Sequence, residues 1–137
     1  MRPYLRYLLP GLLAATSLLA MDAALAAQAV VEIIAFAHPP VQSALKPLRE
    51  ALPQLKNKPR VVEIDMESSE AGQRLKSVGL TGHIPVVVLI DGQYRFTRKD
   101  GGMVEFVGFP AGPGTPAGVK GGWSAADVEA VLAERKR

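Results

Sequence analysis

Apolar and polar positions change their period along this chain, and the changes mark its elements. Five apolar residues in a row, Val86 to Ile90, stand between Pro85 and an Asp91-Gly92 pair. A short uninterrupted apolar run between such breakers predicts a strand covered on both faces. Asp-Gly is a strong hairpin signal, because both residues tolerate positive φ. Tyr94 to Thr97 alternates and is expected to pair back on that strand. Pro85 has no N–H to give a ladder, so it belongs at the strand's mouth.

Elsewhere the pattern moves between strand and helix periods. Val30 to Phe36 is a β-branched run with one charge, a first strand ended by His38-Pro39-Pro40. From Val41 the apolar residues Leu45, Leu48, Leu52 and Leu55 recur at three and four, a helical stripe. Two prolines suit the entrance of that helix. Pro47 lies inside it and is expected to kink it by removing one backbone bond, and Pro53 to end its regular part. Arg60 to Met66 reads as a second strand, and Asn57 to Pro59 as the turn before it. Ser68 or Ser69 caps a second helix whose inner face is Ala71, Leu75 and Val78, with Gly79 at its end. Lys99 to Gly102 is a turn, and Met103 to Phe109 alternates as a further strand. Pro110 to Gly122, rich in glycine and proline, reads as an irregular surface loop. A last helix starts at Ser124, with Asp127 at capping-box spacing and Trp123 and Val128 placed as a hydrophobic staple.

The first 26 residues form no part of this pattern. Arg2 and Arg6 precede an apolar run from Leu8 to Ala20, and Ala24-Leu25-Ala26 has the small-x-small form of a cleavage site. This predicts a secretory leader over residues 1–26, cut after Ala26, and a periplasmic or secreted single domain over 27–137. The alternative is an uncleaved anchor, but the run is shorter than the roughly 20 residues needed to span a bilayer. Otherwise contact with a membrane is expected only in transit.

Composition narrows the chemistry. The 137 residues carry a net charge of +3, with charges interspersed and no basic stripe alternating with aromatics, so nucleic-acid binding has no support. Cysteine is absent, so this chain supplies no thiolate for exchange or attack. Gly101-Gly102 and Gly121-Gly122 lack the lysine and helix of a phosphate loop. Ser68 and Ser69 suit caps better than nucleophiles, and Asp65 and Glu67 suit a solvated strand end. Arg95, Arg98 and Lys99 cluster near the hairpin, where they either meet an acidic partner or simply face water.

The order β-α-β-α-β-β-(β)-α, with three particular stretches, resembles the thioredoxin-like family. Ser43 to Leu52 resembles the helix after that family's redox motif, proline included. Val61 to Met66 resembles its central strand, and Gly82 to Gln93 its cis-proline loop, strand and hairpin turn. The resemblance covers about Val30 to Thr97 and implies a mixed central sheet of four to five strands flanked by helices, here with an extra C-terminal hairpin and loop insertion. It implies a cis bond before Pro85. Aligned on Pro47, the family's Cys-x-x-Cys motif falls on Pro39, Pro40, Val41 and Gln42; aligned without gaps, it falls on Val41 to Ala44. Neither placement holds a cysteine.

The function this suggests is non-catalytic. In relatives the cis-proline edge pairs with extended substrate backbone, a mode that needs no thiol because main-chain hydrogen bonds supply affinity. Ile84 and Pro85 form the expected docking edge, with His38, Pro39 and Pro40 as the facing wall, for a partner protein or extended peptide in the cell envelope. No cofactor is expected. The alternative is a copper or zinc site on the only two histidines, His38 and His83, completed by Met66 or Asp65. Zinc sites need three or four protein ligands, and no third one declares itself by spacing.

Overall fold

The computed structural model describes residues 28–135. The leader expected over residues 1–26 lies outside them. No helix among the described residues is long and apolar enough to cross a membrane.

The architecture is mixed α/β. Strand β1 (Val30–Ala35) leads into helix α1 (Pro39–Ala51), a 3-10 turn (Leu52–Gln54) and strand β2 (Arg60–Asp65). Helix α2 (Ser69–Ser77), strands β3 (Val86–Ile90), β4 (Arg95–Thr97) and β5 (Met103–Glu105), and helix α3 (Ala125–Glu134) follow. The main sheet has the order β2-β1-β3. β1 runs parallel to β2, with Val30 opposite Arg60, and antiparallel to β3, with Val31 opposite Ile90.

β3 is apolar throughout because both of its faces are covered. Val86, Val88 and Ile90 pack in one cluster with Leu45 and Leu48 of α1 and Val128 of α3. Val87 and Leu89 pack in the other with Ala71 and Leu75 of α2. All five β3 residues are buried. Trp123 and Phe106 close the first cluster, their rings 5.5 Å apart, and the Trp123 indole N–H donates to the Gly108 carbonyl at 3.0 Å.

Local signals explain the helix ends. α1 starts at Pro39 rather than Val41. Pro39 and Pro40 occupy its first two positions, where a missing N–H costs nothing, and the N–H groups of Val41 and Gln42 both reach the His38 carbonyl at 3.0 Å. Ser68 caps α2 by accepting from the Ala71 N–H. Ser124 and Asp127 form the complete capping box of α3. Trp123 and Val128 are both buried in the same cluster, as a staple requires.

Three expectations are corrected. No cis peptide bond occurs among the described residues, so the bond before Pro85 is trans. Pro85 opens β3 as an ordinary strand-entry proline, and its carbonyl accepts from the Phe36 N–H at 3.2 Å. Next, Tyr94 to Thr97 does not pair back on β3. Asp91 (φ 50) and Gly92 (φ 80) make the tight turn, but only Gln93 bridges back to Ile90. β4 instead pairs with β5 in a separate two-stranded sheet. Finally, the expected strand Met103 to Phe109 divides. Its first half is β5; its second half bonds to β3, through Val88 N–H to the Phe106 carbonyl and Gly108 N–H to the Val86 carbonyl. The described sheets are thus one of three strands and one of two, not one of four to five.

The loop over 110–122 is tied at its neck, where the Ala111 N–H donates to the Trp123 carbonyl at 2.6 Å. Thr115 Oγ1 donates to the Pro110 carbonyl inside it. Gly114 rests on α1. A Cβ at that position would lie 2.2 Å from the Ser43 carbonyl oxygen. Ser43 is four residues before Pro47, so that carbonyl lacks the donor an ordinary helix would supply.

Candidate functional site

The C-terminal end of β1 and the N-terminal end of β3 meet around Phe36. The Phe36 N–H bond to Pro85 fixes the two chains. The ring of Phe36 lies 5.4 Å from His38, stacked, and 5.2 Å from His83, tilted. The two histidines therefore converge on one aromatic ring. His38, Pro39, Pro40 and His83 are exposed, whereas Phe36, Ile84 and Pro85 are half-buried. Ile84 packs on the cluster under α2. All five residues expected to form a docking surface thus belong to the two segments that this junction joins.

A chain of hydrogen bonds holds the junction from behind. Gln42 Nε2 donates to the Phe36 carbonyl at 2.7 Å, and Arg49 Nη1 donates to Gln42 Oε1 at 2.9 Å. Arg49 then grips both carboxylate oxygens of Glu63 on β2, at 2.8 and 3.0 Å. The Gln42 amide thus donates at one end and accepts at the other, which fixes its orientation. Sequence reasoning missed Gln42 and Arg49. The available signal was their spacing of seven on one helix, which puts both on the same face.

Backbone at the edge is free. Neither the N–H nor the C=O of His83 or Ile84 bonds to a described residue. The ladder explains why. Val88 faces Phe106 and Val86 faces Gly108, but Gly108 has φ 80 and the bonding ends there, before it reaches Ile84. The Pro110 carbonyl is taken up by Thr115.

The other sequence candidates sort differently. Among the described residues no group of three His, Cys, Asp or Glu side chains is placed to hold a metal ion, so no third ligand of that kind joins His38 and His83. Asp65 is engaged with its own turn, accepting from the Glu67 N–H. The cations near the hairpin each have a carboxylate: Arg95 with Glu105, Arg98 with Asp127, and Lys99 with Glu134. That pairing removes the need for an acidic partner there. Ser68 is a cap, its hydroxyl donating to the Asp65 carbonyl and accepting from Ala71.

Asp127 is a carboxylate whose charged form the fold favours. The Arg98 guanidinium, bonded to both its oxygens, holds its carboxyl below the usual carboxylate range; the Ser124 N–H and hydroxyl assist, and partial burial opposes. This residue caps a helix far along the chain from Phe36, and its role is structural. Set against protein-family models, curated proteins and solved structures, the chain matches none.

Proposed function

We propose that this chain is an exported, redox-inactive thioredoxin-like module that binds a partner protein or extended peptide at the Ile84–Pro85 edge. The element order supports the thioredoxin-like reading: a strand, a helix and a parallel strand, then a helix, an antiparallel strand and a final helix. Lack of cysteine makes the module non-catalytic in thiol exchange. Gln42, which stands where the resemblance puts the resolving cysteine, instead holds the Phe36 carbonyl.

The observation that carries the reading is the unpaired main chain of His83 and Ile84, next to Phe36 and the exposed His38-Pro39-Pro40. An extended segment laid along Ile84 gains main-chain hydrogen bonds, and its side chains meet the proline and imidazole surfaces. In this reading the trans Pro85 still serves, because its bond to Phe36 anchors the segment that carries Ile84.

The test is an amide NMR titration of the full chain with a carboxymethylated, permanently unfolded polypeptide. Saturable shifts at His83, Ile84 and Phe36 are expected. Ile84→Pro removes the free N–H and should abolish them, while His38→Ala and His83→Ala should leave binding within a few-fold. Shifts absent from residues 83–85, or binding indifferent to Ile84→Pro, would end the proposal.

A further inference from the structure

The sheet has a second open edge, on β2. The Arg60 N–H donates to the Ala29 carbonyl and the Met66 N–H to the Ala35 carbonyl, so even-numbered residues of β2 aim their backbone at β1. In a parallel ladder the alternate residues, Val61 and Glu63, aim theirs outward. No described residue pairs with them there. Beside that edge lies a groove of about 430 Å³ between β2 and the end of α1, floored by Leu52, Pro53, Pro59 and Val61. Val61 is 42% exposed, one of few large apolar residues left so.

The carboxylates of Glu63 and Glu32 beside this edge are already held by Arg49 and Arg74. Lys56, Lys58 and Arg60 have no carboxylate partner among the described residues, whereas Arg49, Arg74, Arg95 and Arg98 each have one. Lys58 stands at the groove, and Arg60 on the opposite, α2-facing side of the strand with Val62. A strand added to β2 presents alternate residues to these two sides. One side calls for apolar groups and the other for acids.

We infer that the β2 edge is a second docking site, separate from the Ile84 edge, for an extended segment that alternates apolar and acidic residues. Its apolar side chains enter the groove over Val61, its carboxylates meet Arg60 on the other side, and its backbone pairs with Val61 and Glu63. Basic residues at an exposed edge ordinarily discourage strand addition. Here they turn away neutral and basic segments and admit acidic ones. Self-pairing of two β2 strands fits less well. Antiparallel pairing through Val61 and Glu63 matches odd residues with odd, so Arg60 faces an even-numbered partner, never Asp65 or Glu67.

The test uses the full chain and two synthetic peptides, one alternating valine with glutamate and one alternating valine with lysine, followed by amide NMR. The valine–glutamate peptide should give saturable shifts at Lys58, Val61 and Glu63, and the valine–lysine peptide none. Arg60→Glu, a surface change, should weaken binding about fivefold or more. Val61→Pro, which deletes an outward N–H that β1 does not use, should abolish it. Equal binding of the two peptides, shifts confined to residues 81–85, or unchanged affinity in Arg60→Glu would each overturn the inference.

Discussion

Gly114 of the loop lies against the carbonyl of Ser43, the one carbonyl of α1 that Pro47 leaves without its intrahelical donor. A proline in a helix and a glycine in a distant loop are thus two sides of one contact. Gly114 also has φ +86, which strains any other residue. Gly114→Ala should destabilise the protein by about 2 kcal/mol or more, from both strain and the clash. Urea unfolding of the full chain measures it. Amide exchange should quicken in the loop over 110–122 while β3 keeps its protection. A neutral substitution would show that the loop does not rest on α1.

Gln42→Ala leaves the Phe36 carbonyl and one Arg49 nitrogen without their partner. The expected loss is about 1 kcal/mol, the usual size for one broken hydrogen bond. The more telling readout is local. The Phe36 amide, bonded to Pro85, should exchange faster, and the amides of His83 and Ile84 should shift, although Gln42 touches neither of them. Unmoved resonances there would show that the chain from Glu63 to Phe36 does not hold the segment around Ile84.

The Arg98–Asp127 pair sets an acid dependence. Its carboxyl has a folded pKa below its unfolded one, near 3.9. The stability this gives is present above the unfolded value and disappears as pH falls through the folded one. Asp127→Asn should therefore cost about 1 kcal/mol at neutral pH, with the loss of the charged cap. The gap from the parent protein should hold from pH 7 down to about pH 5 and narrow below about pH 4. A gap that stays constant to pH 2 would refute the assignment.

Glu32 lies on the central strand with its side chain only 13% exposed, and Arg74 of α2 takes both its oxygens, at 2.8 and 2.6 Å. Arg74→Met strands that carboxylate against the sheet and should cost about 1–2 kcal/mol. The double variant with Glu32→Leu should recover most of the loss, because no charge then remains to be solvated. Thermal unfolding of the four proteins in a cycle separates this from simple loss of packing.

What could be read from the sequence was local. Val86 to Ile90 declared a doubly covered strand, and Ser124, Asp127, Trp123 and Val128 declared a helix start, because each signal fits within a few residues. Pairing at long range was hidden. The assignment of Phe106 to Gly108 to β3, and of Arg95 to Thr97 to β5, depends on where the chain turns in space, and alternation alone does not show it. Proline in particular misled: the pattern Ile84-Pro85 before a strand fits both peptide isomers, and the structure has the trans one. The expectation of a docking edge at Ile84 and Pro85 came from likeness alone. That the ladder to β3 ends at Gly108 and leaves the Ile84 main chain without a partner needed the structure.

The central strand is also the first strand described. β1 has β2 on one side and β3 on the other, with Val31 opposite Ile90. A chain growing from its N-terminus therefore releases its middle strand first and completes it last. Until Val86 to Ile90 emerge, β1 has at most one neighbour, and half of the first core cluster and a third of the second are missing. Contacts that are non-local in this way form more slowly than local ones. A fragment ending before residue 86 therefore lacks a strand that both core clusters share.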